Sequence, residues 1–136
     1  MLTRPVLTSL EIDHIVGAAQ AEAARNGWKV AIGIADEGGH PLALRRMDGC
    51  APVSAYLAME KARSAAIGRR ETKGYEDMIN AGRTAFLAVS DISRGLLEGG
   101  VPILVGGQCV GAVGVSGVKP DQDAQVARAG VAAIPT

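Results

Sequence analysis

Apolar positions change period along the chain, and each change marks an element. Ile12, Ile15, Val16, Ala19 and Ala23 recur at helical spacing and predict an amphipathic helix over residues 9–26. Thr8 and Glu11 have the spacing of a capping box, Leu7 and Ile12 fit a staple across it, and Gly27 is the expected stop. From Trp28 to Asp36 the period becomes two. Val30, Ile32 and Ile34 point one way, while Ala31, Gly33 and Ala35 present a small face to whatever packs behind. Asp36-Glu37-Gly38-Gly39-His40 reads as a turn, and residues 41–48 as the returning strand of a hairpin.

Residues 53–68 are alanine-rich without internal Gly or Pro, which predicts a second long helix. A weaker helix is expected over 74–89, with Gly82 as its weak point. Ile103-Leu104-Val105 and residues 108–116 flank Gly106-Gly107 and predict a second hairpin, buried on both faces. Pro120 suits the first turn of a last helix reaching about Ala133. Hairpins separated by helices predict one α+β domain over residues 1–136, an antiparallel sheet with helices packed on it.

Composition narrows the functional classes. Fourteen basic residues balance fourteen acidic ones, so no net charge draws the chain to nucleic acid or an anionic membrane. Its apolar runs are too short for a membrane span, and the start lacks the core of an export signal, so a cytoplasmic protein is expected. Cys50 and Cys109 stand far apart and read as small packed thiols. Eighteen glycines against four aromatic residues imply close backbone packing. Gly111, Gly114 and Gly117 belong to that packing rather than to a phosphate loop, because the first two lie inside a strand pattern.

Candidate chemistry is sparse. His14 and His40 lack the partners of a zinc site, so no metal site is expected, although haem iron needs only one or two axial ligands. Lys61 has small neighbours at helical spacing, which suits either a desolvated amine or a stem snorkelling to water. Arg45 and Arg46 alternate, so one of them faces the covered side of the sheet, where a guanidinium can clamp a carboxylate; an Arg46–Asp48 ion pair is the plainer alternative. Ser116-Gly117 leads into Asp121 and Asp123 at the start of the last helix, where amides either meet an anion or are capped by these carboxylates.

Several segments in order resemble the GlcG/HbpS-like family, which also supplies the C-terminal domain of PduO-type proteins. They are Val30 to Asp36 with Gly38-Gly39, Arg46-Met47-Asp48-Gly49, Ala58 to Ala66, Gly99-Gly100-Val101-Pro102-Ile103, and Gly111 to Gly117 with Gln122-Asp123. The resemblance implies a profilin-like antiparallel sheet of about five strands with helices on both faces, in symmetric homo-oligomers. Patterning supplies four strands, and a fifth would fall near residues 92–98. Family members bind haem or belong to catabolic settings.

Two main expectations follow, of different classes. One is an enzyme for a small carboxylic acid, performing enamine or imine deamination or tautomerisation without a required cofactor. Arg46 would hold the carboxylate in a pocket with Gly99, Gly100, Pro102, Ser116 and Gly117, formed within one chain or across a subunit interface, and Lys61 with Asp48 or Asp123 would move protons. The other is a haem-binding protein for storage, sensing or breakdown, with His14 as candidate ligand. A non-catalytic subunit of a catabolic pathway is a third reading.

Overall fold

The computed structural model describes residues 1–135. Helix α1 spans Ser9–Arg25 and is followed by the hairpin β1 (Ala31–Asp36) and β2 (Pro41–Arg46). Helices α2 (Val53–Gly68) and α3 (Thr72–Asn80) come next, then the hairpin β3 (Gly100–Val105) and β4 (Gln108–Ser116), and finally α4 (Pro120–Val131). The sheet is antiparallel throughout, in the order β2-β1-β4-β3. It therefore has four strands rather than the five that the resemblance implies. Residues 92–98 form a short 3-10 turn at Ser93–Gly95 and irregular chain.

The two faces of the sheet differ as the alternation predicts. On one face Ile32, Ile34, Val113 and Val115 pack against Ile15, Ala19 and Ala23 of α1 and Val126 and Ala127 of α4. Branched side chains fill the space, and their removal from water drives this layer together. The opposite face carries Ala31, Gly33, Ala35, Ala112 and Gly114, and α2 lies on it through Ala58, Ala62, Ala65 and Ala66. A Cβ added at Gly114 would stand 2.0 Å from the Ala58 carbonyl oxygen, so helix and strand backbones meet with nothing between them.

Turns and caps follow local chemistry. Thr8 donates its backbone N–H to Glu11 Oε2 at 2.7 Å, and its hydroxyl bonds the same carboxylate, closing the capping box. Asp36 Oδ1 accepts from the amides of Gly38 and His40, each at 2.9 Å, and so ties the first hairpin turn. Burial would raise the Asp36 carboxyl, but these amides and the His40 ring together hold it below the usual range.

The helix expected over residues 74–89 is shorter and shifted. It begins at Thr72 and stops at Asn80, where Gly82 at φ +108° turns the chain into a 3-10 segment over Thr84–Ala88. Tyr75 and Phe86 still meet edge to face, at a centroid distance of 5.3 Å. The apolar contacts were readable; the break between them was set by the left-handed glycine.

Candidate functional site

Lys61 lies midway along α2 and is 3 % exposed. Its amine donates to the Val115 carbonyl at 2.9 Å and to Asp123 Oδ2 at 3.1 Å. Asp123, 2 % exposed in the first turn of α4, also accepts from the Val118 amide at 3.1 Å through Oδ1. One carboxylate thus caps the loop after β4 and neutralises an amine from the other side of the sheet. Burial raises the Asp123 carboxyl above the usual range, outweighing the opposing pull of Lys61 and the Val118 amide. The lysine does not snorkel to water.

Glycines make room for this pair. Gly99, at φ +130°, would place a Cβ 2.9 Å from the Lys61 amine and 2.6 Å from the Val115 oxygen. No L side chain suits that conformation, and none would fit. Thr72 fixes the next residue: its hydroxyl accepts from the Gly100 amide at 2.8 Å and donates to the Leu97 carbonyl at 2.6 Å. That amide is therefore already engaged. Ser116, 5 % exposed, and the exposed Gly117 complete the neighbourhood at the end of β4, while half-buried Pro102 lies further along β3.

The other expected members do not join this group. Arg46 pairs in register with Ala31, which pairs with Ser116, so all three share the α2 face of the sheet. Arg46 nevertheless stands exposed on the edge strand, two strand spacings or about 10 Å from Ser116. Asp48 is exposed beyond β2 and lines a separate recess with Arg45. Within one chain Arg46 and Asp48 therefore do not converge with Lys61, because β1 and β4 separate edge strand β2 from Gly99 and Gly100 at the β3 edge. No Arg46–Asp48 ion pair forms among the described residues.

Recesses of about 310, 360 and 520 Å³ indent the surface. The first lies between the end of α1 and β2, the second beside Met59 and Arg63, and the third between Thr3, Arg69 and Cys109. Neither Lys61 nor His14 lines any of them. Sequence reasoning missed the first recess because it needs the helix end and the edge strand side by side.

The histidines occupy different settings. His40 is tied to Asp36, with Nδ1 3.0 Å from Oδ1. His14 is exposed on the outer face of α1 and has no hydrogen-bond partner among the described residues. Gly17, one turn along, would place a Cβ within 4 Å of nothing, so the surface beside His14 is open. No group of three or more potential metal-ligating side chains forms among the described residues, and no helix there is long and apolar enough to cross a membrane.

Comparison with known proteins gives a consistent result. Protein GlcG of Escherichia coli strain K12 is 56 % identical over 116 residues, covering 85 % of each chain. The crystal structure of HbpS superposes with a TM-score of 0.91 at 28 % identity, covering 100 % of this chain and 95 % of the other. A crystal structure described as a PduOC:heme complex gives 0.87 at 25 % identity, covering 96 % of both. Residues 7–132 match the family described as haem degrading protein HbpS-like, and the chain belongs to that family.

Proposed function

We propose that this protein binds haem through His14, as a cytoplasmic homo-oligomer in which a second copy covers the outer face of α1. The observation that carries the reading is the free imidazole of His14 on open helix surface, in a chain similar to a protein crystallised as a haem complex. His40 is the poorer donor because its ring is already held by Asp36. A neutral imidazole nitrogen suits haem iron, and the small surface at Gly17 admits a flat ring. A single chain supplies the donor and one wall; the opposite wall comes from the second copy. Haem supplies an iron centre whose reactivity depends on its axial ligands and on the polarity around it. The chain's own part would be to hold the group through the His14 imidazole and to limit water access.

The carboxylic-acid enzyme reading draws less support. The Lys61 amine is enclosed and engaged by Val115 and Asp123, and the Gly100 amide is taken by Thr72. A proton donor needs reach to a reacting atom. Titration of the purified protein with haemin tests the haem reading. We expect a saturable Soret band that is shifted and weakened in His14→Ala and retained in His40→Ala. A spectrum unchanged by His14→Ala, or no complex at all, overturns it.

A further inference from the structure

The recess at the end of α1 combines an aromatic wall with charges that have found no partners. Trp28 and Met47 pack against the core on one side and face this recess of about 310 Å³ on the other. Their backbones are pinned: the Trp28 amide donates to Ala23 at 2.8 Å, and the Met47 amide donates to Val30 at 2.9 Å. Lys29, Arg45 and Asp48 stand around them at the surface.

Other surface cations divide between paired and unpaired, Arg46, Arg69, Arg94 and Lys119 making no ion pair among the described residues. Arg4 meets Glu37, Arg25 meets Glu22, Lys73 meets Asp77, and Arg128 meets Glu71. Around this recess no ion pair forms among the described residues, although Asp48 shares it with two cations. The local balance is therefore one positive charge over an apolar floor. A guanidinium offers a planar fork and an ammonium a point charge, and together they suit a carboxylate. The flat indole beside them suits a planar apolar body.

We propose that this recess binds a small planar carboxylate, with its acid group at Lys29 and Arg45 and its ring or conjugated body against Trp28. Asp48 opposes the ligand's charge and selects against dianions. Register explains why Arg45 rather than Arg46 serves: Arg45 pairs with Ile32 and so lies on the α1 side of the sheet, whereas Arg46 pairs with Ala31 on the α2 side. The site is separate from His14 and does not depend on haem.

Trp28 is the sole tryptophan, so its fluorescence reports on the recess alone. The experiment titrates full-length protein with sodium benzoate at constant ionic strength, with benzyl alcohol as the uncharged counterpart. The expected result is a saturable change with benzoate and a much weaker one with benzyl alcohol. Lys29→Gln and Arg45→Gln should each raise the dissociation constant about tenfold, the loss of one charge-assisted contact. Asp48→Asn should tighten benzoate binding, and His14→Ala should leave it unchanged. These positions are exposed, and unchanged circular dichroism would show that the variants fold. No saturable change, equal binding of the alcohol, or a benzoate affinity in both cation variants unchanged from the parent protein overturns the proposal.

Discussion

The Lys61–Asp123 pair and the Trp28 recess place the same kinds of charge in opposite circumstances. In the first, amine and carboxylate are nearly inaccessible and 3.1 Å apart. In the second, Lys29, Arg45 and Asp48 are exposed, border a cavity and make no ion pair among the described residues. Charge removed from water must be matched within the fold, and once matched it is held by the structure around it. Charge left in water keeps its capacity to meet something else. The contrast separates a clasp from a docking point.

The largest expected effect lies at the clasp. Lys61→Ala leaves Asp123 buried without its counter-charge and should cost about 3–5 kcal/mol in chemical denaturation. Converting both partners, as Lys61→Met with Asp123→Leu, should recover much of that loss. If Lys61→Ala alone proved neutral, the buried pair would not be the clasp described.

The Asp36 turn provides an intermediate case, since its carboxylate is partly exposed yet receives two amides. Asp36→Ala should cost about 1–2 kcal/mol, the scale of a turn bond to a charged acceptor. Its folded pKa lies below the ordinary 3.8, so its stabilisation is present above that value and disappears as pH falls through the folded value. Asp123 has the opposite sign: its folded pKa is raised, so its contribution is greatest at low pH and is lost as pH climbs from 3.8 through the folded value. Denaturation midpoints measured across the acid range should show a shallower acid loss in Asp36→Asn than in the parent protein.

The smallest effect belongs to the recess. Lys29→Gln and Arg45→Gln should change stability by no more than about 0.5 kcal/mol, because exposed unpaired charges contribute little. A thermal melt that showed either to be strongly destabilising would erase the distinction between the two regions.

Much of the fold could be read from single segments, because each carried its own periodicity. The alternation of Ile32 and Ile34 with Ala31, Gly33 and Ala35 assigned both faces of β1, and the alanines of residues 53–68 indicated the helix that covers the smaller face. The third helix was harder, since Tyr75 and Phe86 share a cluster although Gly82 breaks the chain between them. The fifth strand was an inheritance from resemblance, and Gly95 shows what stands there instead: a turn so close to α2 that a Cβ would lie 2.0 Å from the Glu60 oxygen. Site geometry was less legible. Alternation established that Arg45 and Arg46 diverge, but only pairing with Ile32 and Ala31 says which goes where. Lys61 drew notice for its small neighbours, yet the choice between Asp48 and Asp123 as its partner depended on positions far apart in sequence.

The seam between α2 and the sheet also governs how this domain can move. Turning α2 by one residue would bring larger side chains such as Arg63 toward Gly114, which leaves space only for hydrogen against the Ala58 and Ala62 backbone, while the Met59 sulfur already fills the space over Gly33. The helix is consequently keyed to one rotational setting, and a push at its N-terminal end would shift helix and sheet as one rigid body rather than twist one against the other.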